Sequence, residues 1–287
     1  MVIGSDAASP GGAPSGESAG ETEVRAWTLA RGWADEAAAI ACRHRAGTTI
    51  PTATKTTEFD LVSAADREIE DHLRASIAVA FPDHAILGEE GGGSTIETEW
   101  QWVLDPIDGT LDFVTGLPGG CCSIGLRRGA DLRVGVIADL HSGRIFSARS
   151  GGGWFVGAER QLGSHDGYPA PGRARVFVEW GAELVADPEI DDLRELSRVR
   201  PFVPRLLGGA AFGIVAVATG GGCFVGLGLR IWDVAAGLLL AREAGLASFV
   251  EPGAGPVLSC VIGEPDDVER FGPVVRRLSR SREGGGT

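Results

Sequence analysis

Acidic residues concentrate in several separated segments of this sequence, and they are its strongest candidates for chemistry. Mg²⁺ and other hard cations take oxygen ligands in a near-octahedral array, so a site for them needs carboxylates from several segments. A zinc site is poorly supported, since the five histidines are dispersed and match no zinc-motif spacing. The candidate carboxylates are Asp60, Asp66, Glu89, Glu90, Asp105, Asp108 and Asp233.

The segment Asp105-Pro-Ile-Asp-Gly-Thr110 has a mechanical logic of its own. A turn here would project both aspartates to the same side, and Pro106 would stiffen it. Gly109 would let a ligand approach the backbone, and a helix beginning there would offer its free N–H groups to an anion. Taken alone, the motif is more typical of aspartates that only form turns and cap helices.

The overall charge limits the partners of the protein. Its 287 residues include 26 Lys+Arg and 39 Asp+Glu, so the net charge is −13 at neutral pH. Such a field repels polyanions, which argues against direct binding of nucleic acid or of anionic membrane surfaces. A phosphate ligand would have to be held locally, through a metal ion. Lys55 is the only lysine among the 26 Lys and Arg residues, and a lysine retained in so arginine-rich a chain is worth inspecting.

Hydrophobic spacing predicts the elements that must position these residues. Residues 21–45 and 65–81 have apolar residues at helical spacing. A short apolar strand at 102–104 runs into the turn at 105–110, and 121–160 alternates apolar runs with glycine turns, as in an antiparallel meander. We then expect strands at 176–180 and 223–227 and helices at 188–198, 209–219 and 233–244, which indicates a layered α/β second half.

The predicted elements divide the chain into two halves with a tail at each end. Residues 1–20 are a Gly/Ser/Ala/Pro mixture with few large apolar side chains, so we expect a disordered tail, and residues 281–287 are similar. Between them we expect an N-terminal α+β metal-binding half at 21–160 and a C-terminal α/β half at 161–280.

Signals for compartment and membrane favour a soluble cytoplasmic protein. The N-terminus lacks the basic and apolar regions of a signal peptide, and five scattered cysteines form no CxxC pair. The stretch 206–229 carries no charge and is long enough to span a bilayer. Its glycines suit a buried helix followed by a strand better, so we expect no membrane span.

Taken together, the acidic segments resemble those of the inositol monophosphatase family of Mg²⁺-dependent, lithium-sensitive phosphatases. The resemblance spans roughly residues 21–265, in the family's order and approximate spacing. It implies a layered αβαβα fold like that of fructose bisphosphatases, usually as a homodimer, and hydrolysis of a small phosphorylated alcohol. The matching segments are Lys55, Asp60-Leu-Val-Ser-Ala-Ala-Asp66, Leu87-Gly-Glu-Glu90, Trp102-Val-Leu-Asp-Pro-Ile-Asp-Gly-Thr110 with Phe113, and Trp232-Asp-Val-Ala-Ala-Gly237.

Carried over residue by residue, the resemblance implies a site for two or three Mg²⁺ ions. Glu89, Asp105 and the carbonyl oxygen of Ile107 would hold one ion. Asp105, Asp108 and Asp233 would hold a second, and Glu89 would also reach a third, weaker ion. Cations at this point would invert the local field of an acidic protein, so that a phosphate monoester could bind.

The resemblance also implies catalytic roles. Thr110, hydrogen-bonded to Asp66 and assisted by Glu89, would position and deprotonate a water activated by the metal for in-line attack on phosphorus. The backbone amides of Gly109 and Thr110 would hold a phosphate oxygen. Lys55 matches the family's lysine near the metal loop and would support it.

Three positions depart from the family's pattern, and all bear on the substrate. Gly209, beside Ala210, stands where a hydroxyl residue is usual, and Asp112 replaces the usual Asn. Gly226, seven residues before Asp233, stands where inositol phosphatases carry a Glu that binds polyol hydroxyls. Losing such a contact should cost about ten- to a hundredfold in specificity. We expect Ala210, Gly209, Gly226 and Asp112 to line a wider pocket for a larger or less hydroxylated ester.

The residues leave the substrate open, and a different class of function remains as an alternative. Histidinol phosphate and sugar phosphates are rival substrates within the family, and Asp112 favours an amino alcohol. Fructose 1,6-bisphosphate and 3′-phosphonucleotides fit less well, because Thr110-Leu-Asp-Phe113 differs from the turns usual in those enzymes. The alternative of another class is a regulatory protein that acts through a partner, as some relatives of the family do.

Overall fold

A computed structural model of the protein describes residues 18–47, 50–55, 61–93, 98–163, 175–181, 190–253 and 256–283. Helices and three sheets alternate along these residues. The helices are α1 (Ala19–Arg45), α2 (Ala64–Ala80), α3 (Thr110–Thr115), α4 (Ile190–Val199), α5 (Ala210–Gly220), α6 (Ile231–Glu243) and α7 (Pro265–Glu283).

An eight-stranded sheet is built from the first half of the chain. Its strands are β3 (Ala85–Gly88), β4 (Gly92–Gly93), β5 (Trp100–Asp108), β6 (Cys121–Arg128), β7 (Asp131–Asp139), β8 (Ile145–Arg149), β9 (Gly153–Val156) and β10 (Glu159–Arg160). The order is β10-β9-β8-β7-β6-β5-β3-β4, and every neighbouring pair is antiparallel except β3 and β5. A separate antiparallel pair joins β1 (Thr52–Thr54) to β2 (Leu61–Ser63).

A five-stranded sheet is built from the second half. Its strands are β11 (Arg175–Trp180), β12 (Val203–Arg205), β13 (Cys223–Arg230), β14 (Ala247–Pro252) and β15 (Val257–Gly263). They follow the order β12-β11-β13-β15-β14. Strand β11 is parallel to both of its neighbours, whereas β15 is antiparallel to β13 and β14.

The helices separate and cover the two large sheets. Helices α1 and α2 pack on one face of the eight-stranded sheet, and α5 and α6 lie between the two sheets. Helices α4 and α7 cover the outer face of the five-stranded sheet. The five layers confirm the predicted αβαβα arrangement, in which each helix buries an apolar face against a sheet.

Helix α6 lies unusually close to the eight-stranded sheet. Gly135 on β7 faces it, and a Cβ atom at that position would lie only 2.6 Å from the carbonyl oxygen of Ala236. The missing side chain lets the backbones of helix and strand meet. Because Asp233 lies in the first turn of this helix, the close packing also sets where that carboxylate lies.

Several element boundaries differ from those expected. Helix α1 begins at Ala19 because Ser18 and Glu21 form a reciprocal capping box. The last helix continues to Glu283, past the expected tail boundary at 281. The meander at 121–160 is confirmed, while β12, β14, β15 and α7 were not predicted. The expected disordered tail at 1–20 is wrong at its end, because residues 19 and 20 belong to α1, and residues 1–17 lie outside the described ranges.

None of the helices in the described ranges is long and apolar enough to cross a membrane. The uncharged stretch at 206–229 instead holds helix α5 and most of strand β13. Most residues of both elements are buried within the protein.

We predict that Gly135→Ala destabilises the protein by about 1–3 kcal/mol, because the added methyl group forces α6 away from the sheet. Urea unfolding followed by circular dichroism measures this change. Gly32→Ala is the matched control: it lies in the exposed part of α1, and a Cβ there meets nothing within 4 Å. Helix propensity predicts a gain of up to about 1 kcal/mol for this control. A Gly135→Ala protein as stable as the wild type would contradict the close packing.

Candidate active site

Asp105 and Asp108 reach the same side of β5 because the strand bulges between them. Side chains alternate along a strand, so residues three apart point to opposite faces of a regular sheet. In the pairing with β6, Asp105 lies opposite Ser123. Asp108 lies opposite Cys121, so β5 holds one extra residue at this point. Ile107 accordingly turns into the core beneath α1 and α2, away from the two carboxylates.

Asp108 caps helix α5 from outside that helix. Its Oδ1 accepts a hydrogen bond from the N–H of Ala210 at 3.2 Å, and its Oδ2 accepts one from Ala211 at 2.6 Å. The N-cap residue Gly209 has no side chain to do this, and a Cβ there would lie 2.8 Å from Oδ2 of Asp108. The N–H groups at a helix start stabilise a carboxylate. Gly209 therefore gives Asp108 room to approach α5.

Asp233 enters the cluster from the first turn of α6. The side chain is half-buried, and its Oδ2 accepts a hydrogen bond from the N–H of Arg230 at 2.7 Å. The hydroxyl of Ser123, opposite Asp105 on β6, donates to the carbonyl oxygen of Trp232 at 3.2 Å. The bond from Ser123 ties the start of α6 to the eight-stranded sheet, beside the β5 aspartates, and the bond from Arg230 orients Asp233 within that first turn.

Glu89 lies in the turn after β3, and a buried residue of α2 holds that turn in place. Glu70 accepts hydrogen bonds from the N–H groups of Glu90 and Gly91 at 2.8 and 2.7 Å. Arg74, one turn along α2, donates to Glu70 at 2.7 Å and balances its charge. Glu70 therefore positions the backbone from which Glu89 projects.

Lys55 lies against the same turn. Its Nζ is 2.7 Å from Oε1 of Glu89 and 2.5 Å from Oε1 of Glu90. Burial alone would lower the pKa of Lys55, but the two carboxylates outweigh it and raise that pKa above its ordinary value. Burial also raises the pKa of Glu90 to about 7. The sequence resemblance places Lys55 near the metal loop, and the structure places it in contact with two of the loop's carboxylates.

Gly109 and Thr110 begin the short helix α3. Gly109 has φ +86°, a conformation that favours glycine, and a Cβ there would lie 2.5 Å from the carbonyl oxygen of Gly208. The carbonyl oxygen of Gly109 accepts the N–H of Phe113 at 3.1 Å, so the first N–H groups of α3 have no partner inside the helix. These groups are available to an anion.

Thr110 and Asp66 meet between α3 and α2. The Oγ1 of Thr110 donates to Oδ1 of Asp66 at 3.2 Å and to the carbonyl oxygen of Ile107 at 3.0 Å. The other oxygen of Asp66 accepts the N–H and hydroxyl of Ser63 at 2.8 and 2.5 Å, which caps α2. Burial raises the pKa of Asp66 to about 6, against the opposite effect of Ser63. A carboxylate of this kind can accept a proton from the threonine hydroxyl near neutral pH.

Burial and mutual repulsion act together on the three aspartates. The pKa of Asp105 lies well above its ordinary value because of burial, followed by the charges of Glu89, Asp108 and Asp233. Burial is also the main cause that raises the pKa of Asp108 and of Asp233. Each of these groups favours its neutral form unless a positive charge lies nearby.

The donor set fits a hard divalent cation. The Oδ1 of Asp105 is buried and has no hydrogen-bond partner among the described residues, and the carboxylate of Glu89 lies within hydrogen-bonding range of Asp105. Two ionised carboxylates cannot satisfy one another, whereas a cation satisfies both. As the described side chains stand, no three of the histidine, cysteine, aspartate and glutamate residues lie together closely enough to hold a metal ion.

The expected substrate contacts differ in their surroundings. Asp112 is half-buried on α3, at the surface that carries Gly208 and Gly119. Ala210 donates its N–H to Asp108, so that group is engaged within the protein. Gly226 is buried, and a Cβ there would lie 2.3 Å from Leu229 Cδ1, so this position does not line a pocket as expected. Asp60 lies outside the described residues.

Sequence reasoning missed two acidic residues of this region. Glu70 holds the Glu89 turn, and Glu179 near the end of β11 contributes to the raised pKa of Asp108. The signal for Glu70 is its spacing of four from both Asp66 and Arg74 on one helix face. The signal for Glu179 is an acidic residue inside an otherwise apolar strand, which needs a reason to be there.

The protein is a five-layered α/β protein in which acidic side chains from several elements converge between two sheets. Solved structures share this fold. Mycobacterium tuberculosis SuhB gives a TM-score of 0.71 at 30% identity, covering 89% of this chain and 97% of that chain. An IMPase/NADP phosphatase complexed with Mg²⁺ and phosphate gives 0.74 at 22% identity, covering 92% and 98%, and shows likeness of fold alone.

Sequence comparison identifies the family. The profile of the inositol monophosphatase family matches residues 24–282. The chain is 36% identical over 203 residues to the inositol-1-monophosphatase SuhB of Mycobacterium tuberculosis, covering 67% of this chain and 69% of the relative. It is 31% identical over 195 residues to inositol monophosphatase 1 of Xenopus laevis, covering 65% and 68%. The chain belongs to the inositol monophosphatase family and is a magnesium-dependent phosphatase.

We predict that Glu70→Gln weakens Mg²⁺ binding by about 10–100-fold, because an amide cannot accept both backbone N–H groups of the Glu89 turn. Calorimetric titration with Mg²⁺ measures the affinity. Glu68→Gln is the matched control, since Glu68 lies on the exposed face of the same helix and pairs only with Arg43 and His44. Equal Mg²⁺ affinities for Glu70→Gln and the wild type would show that the turn does not depend on Glu70.

Proposed function

We propose that this enzyme hydrolyses the monoester of a small phosphorylated alcohol and that the cluster around Asp105 is its active site. The observation that carries the proposal is the buried, unpartnered Oδ1 of Asp105, which faces other carboxylates instead of a hydrogen-bond donor. A cation is the partner that such an atom requires. The neighbouring N–H groups at the start of α3 provide a place for an anion beside it.

Five residues would hold the metal, as two or three ions. When bound, Mg²⁺ supplies neutralisation of the phosphate charge, acidification of water and support for the leaving oxygen. The set includes one backbone carbonyl, whose position the β5 bulge determines. The proposed ligands are Glu89, Asp105, Ile107 through its carbonyl oxygen, Asp108 and Asp233.

Thr110 and Asp66 would move the proton that the reaction must remove from water. A water beside Thr110 passes a proton to Oγ1 as Thr110 passes its own proton to Oδ1 of Asp66, 3.2 Å away. The oxygen of that water is then free to attack phosphorus in line with the departing alcohol. The alcohol oxygen takes up a proton from solvent as the P–O bond breaks. Glu89, which lies beside Asp105, would help to position the attacking water.

Backbone groups would orient the phosphate. The N–H groups of Gly109 and Thr110 begin α3 and have no acceptor within that helix. Gly109 makes this turn possible, because its positive φ favours glycine and a side chain there would collide with the carbonyl oxygen of Gly208. Lys55 would partly neutralise the negative charge of Glu89, with which it forms an ion pair.

The assembly and compartment are part of the proposal. We propose a homodimer, the assembly that the resemblance to the inositol monophosphatase family implies. All five cysteines are free thiols, four of them buried, which is compatible with the reducing cytoplasm. Among substrates, inositol phosphates, histidinol phosphate and sugar phosphates are the esters to compare.

We predict Mg²⁺-dependent phosphate release from at least one ester of a panel that contains inositol 1-phosphate, histidinol phosphate and sugar phosphates. Asp105→Asn should lower kcat/KM by at least about 100-fold, which is about 2.7 kcal/mol. Asp131→Asn is the matched control, on an exposed site of the same sheet, and should change nothing. Release from no ester by the wild type would favour the regulatory, partner-binding alternative instead.

We predict that Mg²⁺ raises the melting temperature more at about pH 8 than at about pH 5.5. The folded-state pKa values of Asp105, Asp108 and Asp233 lie above their ordinary values, so without metal their contribution to stability is lost as pH rises. Mg²⁺ binds the ionised forms and restores that stability, by about 2.7 kcal/mol at a hundredfold excess over Kd. Calorimetry with Mg²⁺ or EDTA tests this, and an equal shift at both pH values would contradict it.

A further inference from the structure

Glu179 lies near the carboxyl end of strand β11, at the end of the five-stranded sheet that faces the proposed active site. It is the penultimate residue of β11, which runs parallel to β13. Strand β13 leads directly into α6 and Asp233, so the carboxyl ends of both strands point to the cluster. Ligands of parallel α/β sheets bind beyond the carboxyl ends of the strands.

The side chain of Glu179 projects toward the central helix layer. Along β11, Phe177 belongs to the core around α5 and α6, whereas Val176 and Val178 belong to the core beneath α4 and α7. Because side chains alternate along a strand, Glu179 shares the face of Phe177. This is the layer that contains Asp233 and the start of α5, which Asp108 caps.

Glu179 is the register partner of Gly226. In the parallel pairing of β11 with β13, these two residues lie side by side. Residues in register on adjacent strands point to the same face and lie about 4.8 Å apart. Gly226 offers no side chain, and Leu229 occupies the space where one would begin. Position 226 on β13 therefore carries no polar side chain, but Glu179 places a carboxylate beside it on the adjacent strand β11.

The charges around Glu179 are acidic. Burial, followed by the charge of Asp233, raises the pKa of Glu179 to about 8, although a backbone hydrogen bond from Trp180 acts in the opposite direction; the charge of Asp112 adds to the rise. Asp108 is affected in turn by Glu179. No ion pair involves Glu179 within the described residues. A half-buried carboxylate that accepts this backbone hydrogen bond has further lone pairs with which to accept a donor supplied from outside the protein.

We propose that Glu179 is a substrate-contacting residue that accepts hydrogen bonds from hydroxyl or ammonium groups on the alcohol half of the phosphate ester. This inference rests on the proposed function. It places a specificity-determining carboxylate on the five-stranded sheet, opposite the β5 aspartates of the eight-stranded sheet. It also revises the expectation of a less hydroxylated substrate, since Gly226 does not leave this side of the site without a carboxylate.

The test compares Glu179→Gln with the wild type on three phosphate esters. Inositol 1-phosphate offers hydroxyl donors, histidinol phosphate offers an ammonium donor, and phenyl phosphate offers neither on its leaving group. We expect kcat/KM to fall about 10–100-fold for the better donor-bearing substrate, mainly through KM, and to change less than about twofold for phenyl phosphate. The larger loss names the donor: inositol 1-phosphate for hydroxyl, histidinol phosphate for ammonium.

Two controls separate substrate binding from other effects. Glu159→Gln, on the exposed strand β10, should leave all three esters unchanged. The Mg²⁺ concentration for half-maximal activity should also stay the same in Glu179→Gln, because a residue that positions metal would move it.

The outcomes distinguish this inference from the proposed function. Equal losses for all three esters, together with a higher Mg²⁺ requirement, would assign Glu179 to the metal site and overturn the inference. Unchanged kinetics of Glu179→Gln in an active enzyme would overturn it alone. A wild type that hydrolyses none of the three esters would overturn the proposed function and this inference together.

Discussion

Three carboxylates that repel one another are held together at the centre of this structure. Asp105, Asp108 and Asp233 come from two elements that are far apart in the chain and would repel one another at this spacing. Backbone N–H groups offset part of that cost, from the start of α5 for Asp108 and from Arg230 for Asp233. The helices of the central layer thus serve as electrostatic supports as well as packing elements.

The sequence predicts the identity of these carboxylates better than the reason they meet. Asp-Pro-Ile-Asp-Gly-Thr names both aspartates, but a strand of regular alternation would place them on opposite faces. The bulge that reunites them appears only in the pairing of β5 with β6, a contact between separate segments. Helix α7 was not predicted either, because contacts with a distant part of the chain stabilise it. It contains Pro273, a residue that disfavours helix interiors, yet Phe271 and Val275 are buried against the five-stranded sheet.

Gly226 and Glu179 show why a departure from a family pattern is hard to interpret along the chain alone. At Gly226 the pattern lacks a carboxylate, and sequence reasoning concludes that one contact is missing. In the sheet, Glu179 is the neighbour in register, so a carboxylate is present on the adjacent strand. The two positions lie 47 residues apart in the sequence, and only strand pairing relates them.

The acidic residues would act differently at the two ends of the proposed site, where the phosphate and the alcohol of the substrate would bind. At the phosphate end, cations would reverse the sign of the field set by the aspartates, and the amides of α3 would add positive partial charge. At the alcohol end, Glu179 and Asp112 lie outside the proposed ligand set. Cations at Asp233 would remove one of the charges that raise the pKa of Glu179, and so would favour the ionised form of Glu179. A substrate would then meet a positive field at its phosphate and a negative one at its alcohol. This polarity orients an ester whose alcohol carries donors and disfavours one with a second phosphate at the far end, because that phosphate would face the carboxylates.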